Sequence, residues 1–371
     1  MPKMTLSNPE SRAHGIIFSA VFAAALFVTV WAVSGPMSKP EFFWGRLAWT
    51  AFIAAAGFAI LKTGKVSPWR AAVFIALAAA FLVRFKLRPQ TAAAPYCHIA
   101  IASSFLNYLY QQYLALMSGH WKEWGPLTLG ALWIFVTLVL GQAWCSWVCF
   151  YGGLDEGFSR LLPARWRFLK LRLSGKARDF QTALLIFFLL ASLSALTPAF
   201  CWWVCPLKMT HAFAAYGTQG QIQIALMWAA GIIFIVLLPI VSGKRSFCGA
   251  ICPFGAWQAF FGRLNPVRVA PDKDLCLKCG KCEKTCPVFA IESGGGSPEI
   301  LNYCNRCGSC MDGCPAKAMD YTFLGIRPKL TLGKETLDGR VVFVFCALLI
   351  AALVGMIFVP QAACELWLRF L

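Results

Sequence analysis

Long apolar runs dominate the chain. They lie at Ile16–Val33, Leu47–Leu61, Ala71–Val83, Leu127–Trp144, Thr182–Leu196, Ile222–Val241 and Val341–Val359. A helix crosses a hydrocarbon core of about 30 Å with about 20 residues, so these runs predict membrane-spanning helices, Ala71–Val83 being the short one. Lys3 and Arg12 ahead of the first run resemble a signal-peptide n-region, but the run is long and Ser34-Gly35-Pro36 is a poor cleavage site. It therefore reads as an uncleaved first helix. The stretch Ala92–Ser118 is long enough to span yet carries Tyr96, His98, Asn107, Tyr108, Tyr110, Gln111, Gln112 and Tyr113. It reads as a re-entrant or interfacial segment, or as a helix facing the bundle interior. The first case gives seven spans and the second eight, and seven is the expectation.

The pattern changes after about Pro266. To about Gly325 there is no apolar run of spanning length, only short segments rich in Cys, Gly and Pro. The expected architecture is an α-helical polytopic membrane protein of seven or eight spans carrying a small inserted α+β domain. N-terminal membrane helices occupy 1–126, a membrane core 127–265, the insert 266–325 and a C-terminal membrane helix 326–371.

Charge sets the orientation. Arg160, Arg165, Arg167, Lys170, Arg172, Lys176 and Arg178 crowd the connection before Phe180, whereas only Lys208 lies between Ala199 and Gln221. By the positive-inside rule the former connection is cytoplasmic, and so is the insert after Val241. The hydrophobic fraction is 59%, the charged fraction 13% and the net charge +18. In so apolar a chain that excess reads as loop bias, and no basic helix argues for nucleic acid as a partner.

The insert holds two copies of one phrase, Cys276-x2-Cys279-x2-Cys282-x3-Cys286-Pro287 and Cys304-x2-Cys307-x2-Cys310-x3-Cys314-Pro315. This is the spacing of a bacterial two-cluster ferredoxin, in which the fourth cysteine of each run serves the other cluster. Cys276, Cys279, Cys282 and Cys314 are therefore expected to hold one 4Fe–4S cluster, and Cys304, Cys307, Cys310 and Cys286 the other. Zinc knots usually separate two Cys-x2-Cys pairs by a longer arm. Free thiolates also require a reducing compartment.

A second repeat lies in the membrane core. Trp144-Cys145-x3-Cys149-x2-Gly152 continues to Phe158, Arg160, Leu161 and Pro163, and Phe247-Cys248-x3-Cys252-x2-Gly255 continues to Phe261, Arg263, Leu264 and Pro266, with no gap between the copies. Each copy begins at the inner end of a spanning helix, and the two helices run the same way, as in parallel transporter repeats. Cys145, Cys149, Cys248 and Cys252 are thus expected to meet in a third centre: a further 4Fe–4S cluster, a copper site, or plain packing. Cys201-Trp202-Trp203-Val204-Cys205-Pro206 reads as lying at the outer end of its helix, where the seven-span arrangement also puts Cys97 and Cys364. These four are a candidate outer centre or disulfide set, with Cys346 left over. His98 and His211, placed near the outer face, could ligate haem or accept a proton from quinol. No glycine-rich nucleotide loop opens a helix, so neither NAD nor ATP is implied.

Membrane helices ended by Cys201-x3-Cys205-Pro206 and Cys248-x3-Cys252-Pro253 and followed by a two-cluster ferredoxin resemble the NapH/NosR/CcoG group of membrane polyferredoxins, over roughly Leu127 to Phe323. The resemblance implies a bacterial inner-membrane protein that transfers electrons between the quinone pool, or a cytoplasmic donor, and a redox partner outside. It also implies a setting in anaerobic respiration or metalloenzyme maturation, as a quinol dehydrogenase-like subunit. The three N-terminal runs and the final helix go beyond the compact NapH-like core. Two other readings remain open: a copper reductase or maturation factor, since thiolates suit Cu(I), and a non-enzymatic membrane anchor and redox sensor.

Overall fold

The computed structural model describes residues 9–35, 40–87, 98–119, 125–171, 175–205, 218–294, 296–327, 329–332 and 335–370. The chain is mostly helical. Helices α1 (Pro9–Ser34), α2 (Phe43–Thr63) and α3 (Ser67–Leu87) are followed by the short α4 (His98–Ser103) and α5 (Phe105–Met117). The first cysteine repeat lies on α6 (Gly125–Leu140), α7 (Trp144–Trp147) and α8 (Phe150–Ser159). Next come α9 (Gly175–Ala195), α10 (Ala199–Trp203) and α11 (Thr218–Gly231), and then the second repeat on α12 (Leu238–Ser242), α13 (Ser246–Ala250) and α14 (Pro253–Phe261). Between α11 and α12 the residues Ile232–Leu237 form a π-helical turn. Pro239 follows it, lacking an N–H and crowding the carbonyl four residues earlier, which loosens the α-helical ladder there.

Among the described residues six helices are long and apolar enough to cross a membrane: Ile16–Ser34, Pro40–Thr63, Ser67–Arg84, Gly130–Trp147, Ala225–Ser242 and Gly339–Trp367. The run expected at Thr182–Leu196 is a shorter apolar helix, Asp179–Ala195. Most of Ala92–Ser118 folds as the two short helices α4 and α5, and neither reaches spanning length.

The ferredoxin segment opens on β1 (Val267–Pro271) and continues through α15 (Lys281–Thr285), β2 (Ile291–Glu292), β3 (Glu299–Ile300), α16 (Ser309–Asp312) and β4 (Met319–Phe323). Strands β1 and β4 pair antiparallel from Val267↔Phe323 to Pro271↔Met319, and β2 pairs with β3. Both α15 and α16 start directly after a left-handed glycine, Gly280 (φ 65°) and Gly308 (φ 80°), so the two halves fold alike. A hairpin of β5 (Lys329–Leu332) and β6 (Glu335–Asp338) leads into α17 (Gly339–Phe370), which packs against α1, α2 and α3.

This segment is fastened to the ends of the membrane helices. The backbone N–H groups of Val66 and Ser67 donate to Asp312 Oδ1 (3.0 Å) and Oδ2 (2.6 Å), so a carboxylate of the ferredoxin segment caps the N-terminus of α3. Gln142 Nε2 donates to Asn302 O (2.9 Å), Ser146 Oγ to Asn305 O (2.5 Å) and Arg245 N to Pro287 O (2.8 Å).

Beneath this seam lies a buried charge cluster. Glu156 Oε1 accepts from Arg70 Nη2 (2.7 Å) and from Arg160 Nε (2.8 Å), and Arg245 Nη1 lies 3.7 Å from Oε2. Arg70, Glu156 and Arg245 are essentially inaccessible. Burial by itself would raise the Glu156 pKa, but Arg70, Arg245 and Arg160 outweigh it and hold the carboxyl at about 2, below its ordinary 4.5. The ion pairs join α3, α8 and the turn before α13. Gly152 lies against them: a Cβ there would sit 2.3 Å from Arg245 Nη2 and 2.6 Å from Cys145 O.

Replacing Glu156 by Gln strands buried arginines and is expected to cost about 3–5 kcal/mol of stability, read by thermal unfolding in detergent. Because the folded carboxyl is depressed, its contribution is complete above about pH 4.5 and is lost as pH falls toward 2. The E156Q protein should lack that portion of the acid-induced loss. Gly152→Ala should separate α8 from Arg245 and lower stability in the same assay, whereas the exposed Gly294→Ala, with open space around it, should not.

Candidate metal centres

In the ferredoxin segment Cys276, Cys279, Cys282 and Cys314 line one cavity with Leu277, Lys278, Lys281 and Pro315. Cys279 is exposed and Leu277 is 68% exposed, so this cavity is close to solvent. Burial raises the Cys282 thiol, and the neighbouring Cys276 and Cys279 add to the rise. Cys286, Cys304, Cys307 and Cys310 form a second, deeper group. Burial first, then the charges of Cys307 and Cys304, push Cys286 up to about 12, and burial together with Cys304, Cys307 and Cys286 raises Cys310. The chain supplies matched donors to the two crossing cysteines: Ala290 N–H to Cys286 Sγ (3.2 Å) and Ala318 N–H to Cys314 Sγ (3.3 Å). Each donor stands four residues after its cysteine, where the Cys-Pro turn folds the backbone back over the sulfur. Such N–H···S bonds stabilise charge on cluster ligands.

The membrane core brings a third group, Cys145, Cys149, Cys248 and Cys252, around a second cavity, together with Gln142, Gln181, Phe254, Val288, Tyr303 and Asn305. Each cysteine pair sits in the same turn: Cys149 N donates to Trp144 O (2.9 Å) and Cys252 N to Phe247 O (3.0 Å). The second cysteine of each pair is extended, Cys149 at φ −61°, ψ 119° and Cys252 at φ −64°, ψ 114°, and starts the next helix. Gln181 Nε2 donates to Cys248 O (3.2 Å) and Cys252 O (2.6 Å), Asp155 Oδ2 accepts from Cys248 N (2.9 Å), and Arg245 Nη2 donates to Cys145 O (2.6 Å). Arg245 Nη2 also lies 3.5 Å from Cys248 Sγ. Burial raises the Cys248 thiol and pushes Cys149 up to about 11. Buried thiols of this kind become ligands by exchanging their protons for a metal centre.

Cys201 and Cys205 occupy a third copy of the turn, with Cys205 N donating to Phe200 O (3.0 Å). Their place differs from the outer position read from the sequence. Cys205 is buried, and its Sγ lies 3.0 Å from the hydroxyl of Tyr151, two residues beyond Cys149, so α10 folds back toward the core-cysteine turns. Helix α10 packs on α9 and α4 while Cys364 lies on α17, which packs on α1 to α3; these contacts do not join Cys364 to Cys201 and Cys205. Cys97 lies outside the described residues, as does His211. His98, also read as outer, is instead buried with Nε2 3.0 Å from Cys149 Sγ. Among the described residues no three Cys, His, Asp or Glu side chains converge closely enough to hold a single metal ion. The thiols of the first and third groups surround open space.

Sequence reasoning did not single out Asp155, Gln181, Arg245 or Asn305. It did set Cys201-x3-Cys205-Pro206 beside Cys248-x3-Cys252-Pro253, and the phenylalanine before each, Phe200 and Phe247, accepts the same turn-closing bond.

The 4Fe-4S binding domain family model matches residues 124–168, 182–216 and 224–269, one segment for each Cys-x3-Cys turn, and a second 4Fe-4S binding domain model matches 269–292. The methylamine utilization ferredoxin-type protein MauN of Paracoccus denitrificans is 32% identical over 202 residues, covering 51% of this chain and 66% of the relative. The putative electron transport protein YccM of Escherichia coli is 29% identical over 171 residues (42% and 43%). The ferredoxin-type protein NapH of Escherichia coli is 29% identical over 180 residues (47% and 57%). The chain thus spans between about two fifths and two thirds of the length of these relatives. No solved structure gives a significant match. With three cysteine turns and a two-run ferredoxin segment joined to apolar spanning helices, the chain belongs to the NapH-type membrane polyferredoxins, iron–sulfur proteins of electron transport.

Proposed function

We propose that this protein relays single electrons through three iron–sulfur sites, two in the ferredoxin segment and one at Cys145, Cys149, Cys248 and Cys252. It would connect the quinone pool or a cytoplasmic donor to a redox partner on the outer side of the bacterial inner membrane. One observation carries the reading. Tyr303 and Asn305, which flank Cys304, line the same cavity as the four membrane-core cysteines, so the second ferredoxin site and the core site share a wall. Bound 4Fe–4S clusters supply the one-electron carriers. The chain's own part is to hold the thiols apart, to donate hydrogen bonds to sulfur and to exclude water. Cys279 and Leu277 make the first site the natural port for a soluble partner.

The domain limits at 126, 265 and 325 and a seven-span arrangement follow from the same reading. The end of α2 and the starts of α3 and α17 meet at the ferredoxin side: Arg340 pairs with Asp320 (3.5 Å) and reaches Gly64 O (3.5 Å), while Asp312 caps α3. That side is cytoplasmic by the charge of its loops. The four core thiols line one cavity, and a 4Fe–4S cluster there is the reading taken over copper, which thiolates also suit.

Electron paramagnetic resonance of the dithionite-reduced protein tests the shared centre. Cys145→Ala and Cys248→Ala should lose the same signal and keep the ferredoxin signals, and Cys279→Ser should lose a different one. Separate losses for the first two variants would show that the pairs do not share a centre. A cysteine introduced at the exposed, non-ligand position 277 by Leu277→Cys should stay unmodified by a thiol reagent in spheroplasts until the membrane is opened; labelling from outside would reverse the orientation.

A further inference from the structure

His98 comes from α4, which precedes the segments matched by the 4Fe-4S family model, the first of which begins at residue 124. Its Nε2 lies 3.0 Å from Cys149 Sγ. The imidazole is 3% exposed and is enclosed edge-to-face by Phe254 (4.6 Å between centroids), Phe150 (5.2 Å), Trp133 (5.9 Å) and Trp144 (6.1 Å). A thiolate has only acceptor capacity, and a neutral imidazole carries one N–H that can be placed on either nitrogen. Aromatic rings enclose the imidazole where it meets that sulfur. The Nε2–H tautomer therefore makes a charge-assisted bond, of the class stronger than a neutral pair. Three other polar side chains at this centre act elsewhere: Arg245 on Cys145 O and Cys248 Sγ, Asp155 on Cys248 N, and Gln181 on the carbonyls of Cys248 and Cys252.

We infer that His98 is a positioning residue that sets the reduction potential of the membrane-core centre by donating Nε2–H to the Cys149 sulfur. The inference rests on the reading that Cys145, Cys149, Cys248 and Cys252 hold a cluster. Reduction adds negative charge that is shared with the sulfurs, so a donor to sulfur stabilises the reduced state more than the oxidised one and raises the potential. The helices beyond the family-matched core thereby acquire a role: they deliver a donor that the core segments do not contain.

The test is a redox titration of the core-centre resonance signal in wild-type, His98→Leu and His98→Gln protein. His98→Leu should lower the midpoint by the equivalent of roughly tenfold in the reduction equilibrium, about 59 mV for one electron, and should leave the ferredoxin midpoints in place. His98→Gln, which keeps an N–H, should fall between wild type and His98→Leu. An assembled centre with an unchanged midpoint in His98→Leu overturns the inference. Should that variant fail to assemble, wild-type protein with nitrogen-15 histidine decides by electron–nuclear double resonance. A weak histidine coupling at the core centre supports a hydrogen bond, and no coupling, or one of ligand strength, overturns it. A wild-type protein without any core-centre signal would instead bring down the cluster reading, and this role with it.

Discussion

One buried carboxylate holds the membrane core in register. Glu156 is taken out of water, which is tolerable only with cations at hand; Arg160 follows on the next turn at the end of α8, while Arg70 comes from α3 and Arg245 from the turn before α13. Arg245 then continues the network in two directions. Its side chain reaches the backbone and sulfur of the cysteine turns, and its backbone N–H binds Pro287 beside Cys286 of the ferredoxin segment. Satisfying one charge thus fixes where the two membrane cysteine turns stand relative to each other and to the ferredoxin segment.

That register matters because electron carriers work by position. Cys149, Cys286 and Cys310 are buried and shifted toward their protonated forms, Cys286 up to about 12, a condition that favours exchange of protons for a metal centre over exposure of bare thiolates. The three groups differ in access: Cys279 is exposed, Cys286, Cys307 and Cys310 are buried, and Cys149 and Cys252 are buried in the membrane core. Tyr303 and Asn305 form the wall at which the ferredoxin segment meets the membrane-core cysteines.

The ferredoxin segment was legible in the sequence because its ligand spacing is local: two runs of four cysteines define their own turns, and the crossing of the fourth ligand is a rule of the motif. The meeting of Cys145 and Cys149 with Cys248 and Cys252 was legible for a related reason, since a gapless repeat implies similar folds in similar places. Depth along the membrane normal was harder to read. His98 and the pair Cys201 and Cys205 appeared outer because each followed a helix read as running outward. The chain folds back through α4 and α10, and a return of that kind leaves no periodic hydrophobic signature. Arg245 was equally hidden, for a lone arginine at a helix end looks like an ordinary interfacial anchor until its carboxylate, Glu156, is seen from another repeat.

The most direct measurement is iron and acid-labile sulfide per chain on anaerobically purified protein, with copper assayed on the same sample. Three 4Fe–4S sites require near twelve of each and no stoichiometric copper. A value near eight would confine clusters to the ferredoxin segment and contradict the assignment of the membrane-core cysteines.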